Sequence, residues 1–142
     1  MIAPIGLITP YLKKWLIKSI EDITLVEHEL RLPGEEVITS AVCFHAQQAV
    51  EKLLKSFLIY KSIEFGRTHD LKLLLKLCRS EDNAFMEVEV GNLTFYAVEV
   101  RYPDDFYIPT INEAQEASQV AHDVMEFVFK KLGISVNQLS YP

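Results

Sequence analysis

Arg101 is the residue of this 142-residue chain best suited by type and setting to meet an anion. It stands near the expected end of a helix, and Tyr102 and Pro103 follow it and fix the chain's exit. A guanidinium carries five donors in a planar fork and can clamp a phosphate bidentately. Gln48, Glu51, Lys52 and Lys55 fall on one polar stripe of a helical stretch. Lys52 and Lys55 lie within one turn of each other, so both ammonium groups can serve the same polyanion. The alternative for Gln48, Lys52 and Lys55 is a solvated helix face. Thr68-His69-Asp70 opens another helix, where the His69 imidazole either braces the turn or reaches a ligand. His45, in mid-helix, is a packing residue or a part of the same site. The doublet Asp104-Asp105 sets negative charge beside Arg101. It either pairs with Arg101 at a helix C-terminus or opposes an anion until a partner or cation neutralises it.

Composition narrows the chemistry. The net charge of −6 argues against a protein that coats nucleic acid without specificity. The charges are segregated, however. Lys52 to Arg79 holds seven basic residues against Glu64 and Asp70, and Glu81 to Glu126 holds eleven carboxylates against Arg101 alone. Such segregation fits a polyanion site or electrostatically guided association. Cys43 and Cys78 fall in apolar, helix-like stretches and read as core residues of a reducing compartment. No apolar run is long enough to span a bilayer, and no signal-peptide pattern opens the chain, so a cytoplasmic protein is expected. His28, His45, His69 and His122 form no ligand cluster, although His122 and Glu126 share a helix face. There is no Gly-rich phosphate loop and no nucleophile elbow. Neither a metal nor a cofactor is expected.

The elements that must position these residues are helices. Thr9-Pro10 is a helix start, and Leu12, Leu16, Ile20, Ile23 and Leu30 follow at helical spacing until Pro33-Gly34. A second helix is expected from about Glu35 to Ser62, with Ile38, Val42, Ala49, Leu53 and Phe57 as its core stripe. Thr68 is the expected cap of a short helix carrying Leu71, Leu74, Leu75 and Cys78. Between Ser80 and Val90 the residues Met86, Val88 and Val90 alternate like a strand, whereas the flanks favour helix. Asn92 is the expected cap of a helix through Phe95, Val98 and Glu99, stopped near Arg101 by Pro103. Thr110 and Glu113 form a capping box, and Gly133 ends the Ala-rich helix that follows. Trp15, Phe44 and Phe95 are expected in the core. The fold class is all-α, an up-and-down bundle of four to five helices over residues 1–134, with a frayed tail over 135–142.

Two segments in this order resemble the HEPN domain, the higher-eukaryote-and-prokaryote nucleotide-binding family. One is Phe44-His45-Ala46-Gln47-Gln48-Ala49-Val50-Glu51-Lys52-Leu53-Leu54-Lys55, followed after a break by Thr68-His69-Asp70-Leu71. The other is Leu93-Thr94-Phe95-Tyr96-Ala97-Val98-Glu99-Val100-Arg101-Tyr102-Pro103-Asp104. The resemblance runs from the first helix to about Leu132. It implies a dimeric helical bundle, often encoded beside a minimal nucleotidyltransferase in a toxin–antitoxin-like pair. Other members of the family are metal-independent endoribonucleases, in which an arginine is followed after four to six residues by a histidine. Arg101 matches that arginine, but the histidine window holds Phe106, Tyr107 and Ile108. The resemblance therefore implies catalytic positions at Arg101 and Tyr107, and a phenol with an unperturbed pKa near ~10 is a poor base.

The reading these residues favour is a nucleotide- or RNA-binding partner of a minimal nucleotidyltransferase, weak or inactive as a nuclease. Its ligand would meet Gln48, Lys52, Lys55, His69, Arg101 and Tyr102. One alternative is an endoribonuclease that uses Arg101 with Tyr107, His45 or His69; another is a helical interaction module without ligand. Separate acidic and basic stretches, with more apolar stripe than one thin bundle hides, predict a homodimer. Light scattering in moderate salt should give about twice the chain mass, and a monomer at tens of micromolar would contradict it.

Overall fold

The computed structural model describes residues 7–98 and 107–139. Arg101, Tyr102 and the doublet Asp104-Asp105 lie outside that range. So do Glu99, the expected end of the helix after Asn92, and the last three residues of the expected tail.

Helix α1 spans Pro10–Leu30. The Thr9 hydroxyl accepts the Leu12 N–H at 3.1 Å, and proline takes the first helical position. Leu12, Leu16, Ile23 and Val26 are buried along one face. Helix α2 spans Thr39–Tyr60 and so begins later than the expected Glu35. Gly34–Glu36 forms a 3-10 turn and Val37 is extended, because the chain must first reverse direction after Pro33. Ile38 is the cap residue and 59% exposed, not part of the core stripe. Its N–H donates to the Glu29 carboxylate at 3.0 Å, which fastens the end of α1 to the start of α2.

Helix α3 spans Leu71–Glu81. Its cap is Asp70, which accepts from Lys72 and Leu73, whereas the expected cap Thr68 braces the approach by accepting from the Asp70 N–H. The ambiguous stretch then becomes neither helix nor strand. Asp82 caps a 3-10 turn over Asn83–Glu87, followed by extended chain. Val88 and Val90 turn inward, as the alternation implied, but Met86, the third residue of that pattern, faces out, and Phe85 beside it is buried instead. The Arg79 guanidinium donates to the carbonyls of Phe85 at 3.1 Å and Val88 at 2.7 Å, replacing bonds a helix would have supplied.

Helix α4 is one turn, Phe95–Val98. Tyr96 and Ala97 point inward and Phe95 is 42% exposed, so Tyr96 takes the core place expected of Phe95. Helix α5 spans Ile111–Leu132 and opens on the Thr110–Glu113 capping box. It closes on Gly133, whose φ of 69° suits a residue without a β-carbon. Ala114, Ala117 and Ala121 are buried on its stripe and let α5 lie close to α2. Ser135 then caps a further turn, and Leu139 packs on the core.

The result is an all-α bundle centred on α2, with α1 and α5 both packed along it. Asp22 meets His45 and Glu29 meets Ile38, so α1 and α2 are antiparallel. Thr39 donates to the Pro109 carbonyl at 2.6 Å, and Phe85 bridges Phe57 to Phe127, with ring centroids 4.4 and 4.8 Å apart. These contacts join start to start and end to end, so α5 runs with α2. His122 ties α5 to α1 through Glu27 at 2.7 Å and bonds the Ser118 carbonyl at 2.8 Å. Burial works against the charged imidazole, but these two acceptors outweigh it and raise the His122 pKa.

Phe85 is fully buried between two rings of different helices. Phe85→Ala should cost about 3–5 kcal/mol in urea unfolding, whereas Met86→Ala at the exposed neighbouring position should change stability by less than about 0.5 kcal/mol.

Candidate functional site

The polar stripe of α2 does not face water throughout. It splits into two ion clusters held by carboxylates that are nearly withdrawn from solvent. Asp22, on α1, is only 8% exposed. One of its oxygens meets His45 Nδ1 at 2.9 Å, and the other accepts from Lys52 Nζ at 2.6 Å. Glu51, on α2, is 4% exposed. It accepts from Lys55 Nζ at 3.1 Å and faces His69 Nδ1 at 3.0 Å. Fully buried Gln47 donates to Glu51 at 3.2 Å and accepts from Gln48 at 2.7 Å, linking the outer residue of the stripe to the inner pair.

Lys55 differs most from the sequence expectation. It is buried, and its ammonium lies 5.7 Å from the Trp15 ring centroid and 5.4 Å from that of Phe65. The carboxylate and the two rings together enclose the charge. Lys52 and Gln48 stay partly accessible, and the His69 side chain is 69% exposed while bonded to Glu51. Thus Gln48, Lys52, Lys55 and His69 are gathered around α2. Trp15 and Phe44, expected in the core, are half-buried.

Tyr107 belongs to a different place. Its hydroxyl donates to Glu113 Oε1 at 2.5 Å, and the Tyr96 hydroxyl donates to the other oxygen at 3.4 Å. Lys72, Asn92, Thr94, Phe95, Tyr107 and Glu113 line a cleft of 360 Å³ here. The bond to Glu113 holds the Tyr107 proton and raises its pKa. The Thr110 N–H, followed by the Tyr107 hydroxyl, lowers that of Glu113. Burial pushes the Cys43 thiol behind Tyr96 up to about 11 and the Cys78 thiol up to about 12, so neither is a ready nucleophile. The first turn of α3 stands between the two places. His69 precedes it and bonds to the Glu51 cluster, the Leu71 N–H donates to Thr94 at 3.1 Å, and Lys72 lines the cleft.

Asp22, Glu113 and Lys72 were not singled out as site residues from sequence. For Asp22 the signal was present, since a carboxylate flanking the apolar stripe of α1 must find cations. No group of three or more metal-ligating side chains is assembled among the described residues, and no helix among them is long and apolar enough to cross a membrane.

Comparison with known proteins places this architecture. A family model described as the HEPN domain matches residues 12–132. No curated protein and no solved structure matches the chain.

The Glu51–Lys55 pair makes the Lys55→Met variant informative. Removing the ammonium leaves the buried Glu51 carboxylate with Gln47 and the largely exposed His69, and urea unfolding should show a loss of about 3–5 kcal/mol. The double variant Glu51→Leu/Lys55→Met should recover most of that loss. A double variant as unstable as the single one would mean that the lysine acts through packing alone.

Proposed function

The chain belongs to the HEPN domain family, and we propose that it is a binding member of that family rather than an efficient nuclease. In this reading it forms a homodimer, takes the phosphate of a nucleotide or RNA near Arg101, and works beside a minimal nucleotidyltransferase in a toxin–antitoxin-like pair.

The observation that carries the reading is the contact between Tyr107 and Glu113. Tyr107 stands in the window after Arg101 where nuclease relatives place a histidine. A general base must give up its own proton and accept another near neutral pH. The Tyr107 hydroxyl instead donates its proton to a carboxylate at 2.5 Å and is held above its ordinary pKa. It orders the entry to α5 and supplies no base. Lys72 and Glu113 both line the cleft, so its charges balance. Arg101 and Tyr102 then serve as ligand contacts together with Gln48, Lys52 and His69, while Lys55 braces the site from behind Trp15.

A metal-independent endoribonuclease is the competing reading, and the Asp22–His45 pair favours it. A carboxylate on Nδ1 fixes the imidazole's orientation and leaves Nε2 for proton transfer.

Two assays decide between them. Purified protein should cleave RNA slowly or not at all, with or without chelator. Calorimetry with ATP should show weak binding by the protein alone and tighter binding with the nucleotidyltransferase, and Arg101→Ala should weaken it by about 1.5–3 kcal/mol. Robust cleavage in chelator, abolished by Arg101→Ala, would promote the nuclease reading.

A further inference from the structure

We propose that the contact between α1 and α5 is a proton-operated clamp, closed while His122 carries charge and loosened as its ring gives up a proton. Both helices pack along α2 and meet one another far less. Among the described residues one hydrogen bond joins them, from His122 Nε2 to the Glu27 carboxylate at 2.7 Å. The other ring nitrogen, Nδ1, lies 2.8 Å from the Ser118 carbonyl. A carboxylate and a carbonyl are both acceptors with no hydrogen to give. A neutral imidazole has one N–H and can serve only one of them, and the other would then meet the ring lone pair to lone pair. The geometry thus calls for a hydrogen on each nitrogen, which is the imidazolium.

The neutral ring has a place in the same setting. The buried Ser118 hydroxyl lies 3.4 Å from Nδ1 and can turn to donate to it once the Nδ1 proton is gone. The exchange is therefore between two bonded arrangements, and what it alters is the link across the helices. The imidazolium holds Glu27 by a charge-assisted bond, about twice as strong as the neutral bond that replaces it. Glu27 from α1 and Asp123 from α5 both favour the charged ring. The ionisable groups of α2 are engaged elsewhere, His45 and Lys52 with Asp22 and Lys55 with Glu51. Arg31 and Glu126, one turn beyond Glu27 and His122 on their own helices, are exposed and opposite in sign. Among the described residues no cation but His122 reaches Glu27. Burial opposes the charge, but the bonds to Glu27 and Ser118 outweigh it and hold the ring above the ordinary value of 6.5. The clamp is then complete below that value and is lost as pH rises through the higher value of the folded protein.

The full chain should be titrated by NMR from about pH 5 to about pH 9. The His122 ring is expected to titrate above the ordinary histidine value, and the backbone amides of α1 around Glu27 to shift with the same midpoint. Glu27→Gln keeps the shape of a side chain that is 40% exposed, so that variant should fold, and it should lower the midpoint. Ser118→Ala removes the donor of the neutral state and should raise it. In urea, the unfolding midpoint of Glu27→Gln should fall below that of the original chain at about pH 5.5, and the gap should shrink by about pH 9. The inference fails if His122 titrates at or below the ordinary value, if the α1 amides do not follow it, or if the gap in urea is the same at both pH values. A midpoint left in place by Ser118→Ala would also overturn it, since the hydroxyl would then take no part in the neutral state.

Discussion

Two carboxylates, Asp22 and Glu51, are carried almost out of water where α1, α2 and the entry to α3 meet, and each must be neutralised there. An isolated carboxylate in such a place is costly enough to decide how neighbouring helices sit. Asp22 takes His45 and Lys52 across the α1–α2 contact, and Glu51 takes Lys55 along its own helix and His69 from the segment before α3. Slipping α1 by a turn against α2 would strand Asp22. Moving the start of α3 would take His69 from Glu51. Such ion pairs contribute little net stability compared with apolar groups of equal size. Their effect is on register, while Leu53, Leu54, Phe57 and Phe85 supply the apolar burial.

The same constraint sorts the surface around the bundle. Lys55 is drawn inward because Glu51 needs it, and its stem and charge then support Trp15 from behind. Lys52 is drawn only to the rim because Asp22 lies nearer to it. Two lysines three residues apart thus have different roles, one structural and one partly exposed. At the other end of the bundle Glu113 plays a comparable organising part. It closes the capping box with Thr110 and also receives both tyrosine hydroxyls, so the start of α5, Tyr107 and α4 are fixed together.

Much of the fold was legible because helix ends are written in short-range chemistry. Thr9-Pro10, Thr110 with Glu113, and Gly133 each act over one turn, and the structure uses all of them as the spacing implied. The start of α2 was not legible, because the turn after Pro33 consumes residues that have good helical patterning. Residues 83–90 were misleading for a related reason. Val88 and Val90 do alternate inward, but Arg79, from a neighbouring helix turn, satisfies the carbonyls that would otherwise seek a ladder. Phe95, expected in the core, faces out because a single turn such as α4 has no stripe to read. For the site, periodicity placed Gln48, Glu51, Lys52 and Lys55 on one side of α2. It held no information on which of them another helix would cover. That depended on Asp22, Trp15 and His69, contributed from elsewhere in the chain.

The histidines show how this arrangement limits proton chemistry. Three of the four are tied to carboxylates: His45 to Asp22, His69 to Glu51 and His122 to Glu27. For His122 both ring nitrogens are engaged, so it joins α1 to α5 and has nothing left for a substrate. His45 and His69 each have Nδ1 engaged, which leaves Nε2. They differ in setting. His69 stands largely in water, where a reacting group would be poorly oriented. His45 is set between helices with Lys52 on the same carboxylate, so its orientation is fixed and a cation stands beside it. An imidazole and an ammonium held by one buried acid make a rigid pair suited to an oxyanion. Tyr107 belongs to a different place and is committed to Glu113, so it adds no base to this pair.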